Sequence, residues 1–120
     1  MGTNANVAIE NEDGTIDSVY VHFDGMPSRM MPLLTAHYAD RDKARALVDL
    51  GDMSVVREFL GQKHDFGKAM PGWTVAYHRD RNESWNTVKP KRYSNREMFR
   101  IEVRRPYKYL FTSENRWIQV

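Results

Sequence analysis

Apolar and polar positions alternate at the start of the chain. Val7-Ala8-Ile9 and the run over 16–23 flank Asn11-Glu12-Asp13-Gly14-Thr15, and Asp-Gly supplies the positive φ angles that a tight hairpin turn requires. The pattern predicts an opening β-hairpin. In its second strand Val19, Val21 and Phe23 point to one side and Ile16, Tyr20 and His22 to the other, because side chains alternate across a sheet. Large groups on both sides predict a strand that is central or covered, not a simple exposed edge. The period then becomes helical. Met30, Met31, Leu33, Leu34 and Tyr38 form an apolar stripe on a helix that opens at Pro27 or Ser28, or near Met30 if Pro32 must sit in the first turn. Asp40 is an N-cap for a helix over 41–50, with Ala44, Leu47 and Val48 inward and Gly51 as its left-handed stop. Ser54 is read as the cap of a third helix through Leu60, ended by Gly61.

A polar loop follows over 62–72, then Trp73-Thr74-Val75-Ala76-Tyr77-His78 alternates as a strand should. The segment 79–93 carries charge, Asn, Ser and one Pro with little periodicity, and is expected to be a long loop. Ser94 with Glu97 three residues on reads as a capping box for a helix over about 95–103. The segments 107–112 and 116–120 alternate around Ser113-Glu114-Asn115 and predict a closing hairpin. Helices between groups of strands give an α+β fold: a mainly antiparallel sheet with N- and C-terminal hairpins and three to four helices packed on it, in a single domain over 1–120.

Composition narrows the classes. A chain of 120 residues buries about two-thirds of its unfolded surface and so holds a core without staples. It has no cysteine, which excludes disulfides, thiolate metal sites and thiol nucleophiles. No apolar run is long enough to span a membrane, and Met1-Gly2-Thr3-Asn4 lacks a basic leader followed by an apolar stretch, so a cytoplasmic location is expected. The charge is divided unevenly. Residues 1–60 hold 5 Lys/Arg against 10 Asp/Glu, a balance of −5, and residues 61–120 hold 13 against 6, a balance of +7. Within 79–108 there are 10 basic and 4 acidic residues among Trp85, Tyr93, Phe99 and Tyr107. Either the two halves neutralise each other inside the fold, or one face attracts an anionic partner.

Two groups of residues carry candidate chemistry. Tyr20, His22 and Asp24 close the second strand, and His37 with Tyr38 returns at the end of the next helix. Such a cluster would bind a ligand or move a proton, since histidine titrates near neutral pH and a carboxylate orients its ring; a plain turn and helix end would use the same residues. The second group is basic: Arg79, Arg81, Lys89, Lys91, Arg92, Arg104, Arg105 and Lys108. Cations neutralise phosphates and exposed rings stack on bases, the makeup of a nucleotide or single-strand site, although the same residues also suit a hydrated surface. The four histidines show no His-x-x-x-His pair, so no metal site is expected. Neither a Gly-x-Ser-x-Gly elbow nor a phosphate-cradling Gly-rich loop occurs, and no catalytic residue or cofactor is assigned.

The stretch Tyr20-Val21-His22-Phe23-Asp24-Gly25-Met26-Pro27 resembles a family of small phage and prophage proteins. The likeness extends to Met1-Gly2-Thr3, the acidic hairpin over 10–14, Leu34, His37-Tyr38, Lys43, Leu47, Leu50-Gly51-Asp52 and Ser54, and to Tyr107-Lys108-Tyr109-Leu110-Phe111-Thr112 with a Trp-containing last strand. The middle, over 62–93, matches nothing in that pattern, and Pro32 stands where a small residue is usual. The resemblance implies a phage-type accessory protein working in the bacterial cytoplasm and transfers no activity. The expectation is a non-enzymatic binding module for a host protein or anionic macromolecule, nucleic acid included, with no membrane partner. A nucleotide-binding or nucleotide-hydrolysing protein with its pocket at the Tyr20-His22-Asp24/His37 junction is the alternative.

Overall fold

In a computed structural model that describes residues 3–68 and 70–120, the chain folds as α+β, with Met1 and Gly2 of the Met-Gly-Thr start outside the described residues. The opening hairpin joins β1 (Ala5–Glu10) to β2 (Ile16–Val21), paired from Ala5 opposite Val21 to Glu10 opposite Ile16. Its turn is local chemistry. The Asp13 carboxylate accepts from the Thr15 N–H at 3.0 Å and from the Thr15 hydroxyl at 2.6 Å, and Gly14 takes φ +88°. Helix α1 (Pro27–His37) begins at Pro27, where a missing N–H costs nothing, and carries Pro32 in its interior. Helix α2 (Arg41–Val48) is capped by Asp40, whose carboxylate accepts from the Lys43 N–H at 2.8 Å.

The rest of the chain comprises β3 (Met53–Val55), β4 (Val75–Ala76), α3 (Tyr77–Arg81), α4 (Trp85–Val88), β5 (Lys91–Tyr93), α5 (Arg96–Glu102), β6 (Tyr107–Phe111) and β7 (Trp117–Gln119). Four expectations are corrected here. The segment from Ser54 is strand and extended chain, because β2 continues past its end by hydrogen bonding it: His22 N–H to the Met53 carbonyl at 3.0 Å and Phe23 N–H to that of Ser54 at 2.8 Å. The strand over 73–78 shortens to Val75–Ala76, and the long loop over 79–93 contains two short helices and a strand. Asp80 organises that region. Its buried carboxylate accepts from the Ala76 N–H at 2.9 Å, the His64 N–H at 3.1 Å and the Arg79 guanidinium at 3.0 Å, so the chain turns back on itself after Ala76. Finally, Asn95 caps α5, accepting from the Met98 N–H at 2.8 Å, where Ser94 was expected to do so.

The sheet is mixed, not mainly antiparallel, and five helices accompany it among the described residues. Its order is β4-β3-β2-β1-β6-β7, with β5 beside the first half of β2. The closing hairpin β6–β7 forms antiparallel, but β6 docks parallel to β1, from Ala5 opposite Tyr107 to Ile9 opposite Phe111. The β2–β3 pairing is parallel too, since α1 and α2 carry the chain back between them. On one face Val7, Ile9, Val19, Val21, Tyr109 and Phe111 pack under α1 and α2 with Met30, Leu34 and Leu47. On the other, α5 covers Ala8, Ile16 and Leu110 with Phe99 and Val103. A helix of seven residues is only about 10 Å long. It therefore leaves Asn6, Ser18 and Tyr20 of that second face uncovered by any helix.

Candidate functional site

The uncovered part of the second face is a cleft of about 360 Å³ lined by Asn6, Ser18, Tyr20, Asp52, Lys91, Tyr93, Glu102, Val103, Arg104 and Arg105. Strand alternation puts Asn6 of β1 and Ser18 and Tyr20 of β2 on its floor. The Asn6 Nδ2 donates to Ser18 Oγ at 2.8 Å, while Asn6 Oδ1 has no hydrogen-bond partner although the residue is only 7% exposed. A buried polar atom left unpaired costs on the order of 1–3 kcal/mol.

Asp52 enters from the end of α2. Gly51, at φ +82°, turns the chain there, and the Asp52 N–H donates to the Val88 carbonyl at 2.7 Å. Its carboxylate accepts from the Tyr20 N–H at 2.9 Å. Burial pushes the Asp52 carboxyl above its usual range, against the pull of that N–H and of the Lys91 and Arg105 charges. The Tyr20 ring is held by two neighbours: its hydroxyl hydrogen-bonds His22 Nδ1 at 2.7 Å, and the Arg105 guanidinium lies 4.7 Å above its centroid. Across the cleft, Tyr93 packs edge-on against Phe99 at 5.7 Å, and burial raises its hydroxyl above the usual range. Where α5 ends, extended backbone at Val103 carries Arg104 and Arg105 over the opening.

The two sequence-derived groups are redistributed. Tyr20 and His22 lie together on the cleft face. Tyr38 is buried on the opposite face, its hydroxyl donating to the Arg57 carbonyl at 2.7 Å, and His37 stands exposed at the end of α1 beside Phe59. Asp24 belongs to a separate depression lined by Phe23, Ser54 and Phe66. These five residues do not share one pocket. Among the cations, Arg79 donates to Asp80 and to the Leu60 and Thr74 carbonyls, and Arg92 forks onto Asp17 at 2.9 and 3.1 Å. Arg81 stacks on Phe66 and Tyr77 and pairs with Glu83, and Lys108 donates to the Arg100 carbonyl. Lys91, Arg104 and Arg105 converge on the cleft, and Lys89 borders an adjoining groove of about 510 Å³ that shares Lys91 and Tyr93 with it.

Asn6, Ser18, Asp52, Tyr93 and Glu102 were not foreseen as site residues. One signal was present: Asn6 is a lone amide in an otherwise apolar run before Glu10, and period-two alternation assigns it to the same face as Tyr20. Among the described residues no group of three or more His, Asp or Glu is placed to hold a metal ion, and no helix is long and apolar enough to cross a membrane. Comparison with protein-family models, with curated proteins and with solved structures finds no match.

Proposed function

We propose that the chain is a phage-type accessory protein that acts as a non-enzymatic binding module, engaging an anionic host macromolecule across the cleft and the adjoining groove. One observation carries this reading. Of the cations in the basic segment, Lys89, Lys91, Arg104 and Arg105 form no ion pair with a carboxylate among the described residues, and they border two contiguous depressions. Unpaired cations beside aromatic rings neutralise phosphates and offer stacking surfaces, the combination that tracks a single strand. The outer edge of β5 has no strand beside it among the described residues, and the groove over 86–93 runs past it.

The test is a pull-down from bacterial lysate at moderate salt, with and without nuclease treatment, comparing the wild type with a Lys91→Glu/Arg104→Glu variant. Both residues are exposed, so the reversals leave the core intact. The expected result is a specific macromolecule captured by the wild type and lost with the variant. Identical captures by both proteins, or none by either, would sink the reading.

A further inference from the structure

The cleft offers opposite chemistry at its two levels. The opening carries Lys91, Arg104 and Arg105, which call for an anion. The interior carries the unpaired Asn6 Oδ1 and the Asp52 carboxylate, which are acceptors and call for N–H or O–H donors. The rings of Tyr20 and Tyr93 line the cleft as well. Glu102 also lines the cleft and disfavours a purely anionic occupant, such as a bare phosphate, relative to one that brings donors with its charge. A cavity of about 360 Å³ lies at the small end of ligand sites, ~300–1,000 Å³, so it admits one small unit. The terminal torsion of Asn is broad, so the Asn6 amide can turn toward an occupant.

We infer that the cleft takes a single nucleotide unit, with the phosphate at Lys91, Arg104 and Arg105 and a base bearing an exocyclic amine presented to Asp52 and Asn6. The inference rests on the reading of this cleft as the anion-binding site and names the group bound there. A carboxylate accepts from the cytosine N4 amine and an Asn amide accepts from the adenine N6 amine. Uracil places a carbonyl oxygen where cytosine has its amine, and that oxygen would face the Asp52 carboxylate with nothing to donate. The unit comes either from a free nucleotide or from a strand, since both present the same phosphate and base.

Calorimetric titration of the full chain with CMP, UMP, inorganic phosphate and a short oligo-dC tests this. CMP is expected to bind at least roughly fivefold more tightly than UMP. Asp52→Asn is expected to shrink that ratio toward one while retaining affinity for CMP. Arg104→Glu, on an exposed side chain, is expected to weaken both nucleotides alike. Tighter binding of oligo-dC than of CMP assigns the unit to a strand, and equal binding assigns it to the free nucleotide. Equal affinity for CMP and UMP, or a ratio untouched by Asp52→Asn, overturns the inference. In that case, if phosphate and both nucleotides still bind and Arg104→Glu abolishes it, the cleft remains an anion site. If none of the four probes binds, the inference fails, and the capture experiment decides the wider reading.

Discussion

Replacing Glu10 by Gln tests whether the acidic first half and basic second half of the chain are joined by charge. Glu10 ends β1, is 7% exposed, and receives a two-pronged hydrogen bond from Arg96 at 2.8 and 2.7 Å and a third from the Ser113 N–H at 2.8 Å. It thus ties the first hairpin to α5 and to the last turn. The Arg96 hydrogen bonds, opposed by burial and helped by Ser113, lower its carboxyl from 4.5 to about 2. Moving from 4.5 to about 2 corresponds to an upper limit of roughly 3.4 kcal/mol, at about 1.36 kcal/mol for each tenfold change in proton affinity. Because the Arg96 side chain is 42% exposed, solvent screening reduces this to about 1–2 kcal/mol. A carboxyl depressed in the folded state contributes its full stability above the unfolded value of 4.5 and loses it as pH falls toward 2.

Glu10→Gln keeps one oxygen to accept from Ser113, and it removes the charge together with the second acceptor that receives the Arg96 Nε–H. It is therefore expected to be less stable than the wild type by about 1–2 kcal/mol at neutral pH, with the difference vanishing as the pH falls from 4.5 toward 2. Urea unfolding followed by tryptophan fluorescence at stepped pH measures this, since Trp117 is buried against Phe111. Asp17 is also held near 2, where the Arg92, Asn11 and Arg45 hydrogen bonds overcome the cost of its burial, but it titrates in both proteins and cancels in the difference. Two stability curves that stay parallel across that window would refute the reasoning.

Four further substitutions probe positions that organise the fold. Gly51→Ala would place a methyl carbon 2.6 Å from the Val88 carbonyl oxygen at φ +82°; it is expected to cost on the order of 1–3 kcal/mol in thermal unfolding and to weaken ligand binding through Asp52. Tyr109→Phe removes a buried hydroxyl that donates to the Gly25 carbonyl at 2.6 Å, and the unpaired carbonyl is expected to lower stability by about 1–3 kcal/mol in urea titration. Asn95→Ala is expected to cost about 1 kcal/mol and Ser94→Ala a few tenths at most, so the reverse ranking would restore Ser94 as the cap of α5.

Elements held by their own neighbours were legible in the sequence. The Asp13–Thr15 turn, the Asp40 cap and the Gly51 stop each form within a few residues, and each is found where the pattern predicts it. Segments shaped by distant partners were not. Ser54 and Val55 have an apolar spacing that suits a helix, yet the free edge of β2 recruits them as strand. The short helix after Ala76 is held by Asp80, which accepts from the nearby Ala76 N–H and also from the His64 N–H sixteen residues back. The site follows the same division. That Lys91, Arg104 and Arg105 are basic was plain, but their meeting with Asn6 and Asp52 depends on β5 and α5 docking beside a hairpin from the far end of the chain.

Part of the charge asymmetry is neutralised inside the fold, and strand geometry decides which of two neighbouring cations takes part. Arg92 and Lys91 are adjacent on β5, so their side chains leave opposite faces of the sheet. Arg92 meets Asp17, 75 residues earlier, in a fork that also involves Arg45. It is thereby committed to holding the two halves together. Lys91 emerges over Asn6 and Ser18 in the cleft, where its charge acts on the Asp52 carboxyl without a direct ion pair. A one-residue slip of β5 against β2 would exchange these roles, placing Lys91 opposite Asp17 and turning Arg92 to the cleft face. The register Asp17 opposite Arg92 is therefore what pairs Arg92 across the two halves of the chain and leaves Lys91 over the cleft.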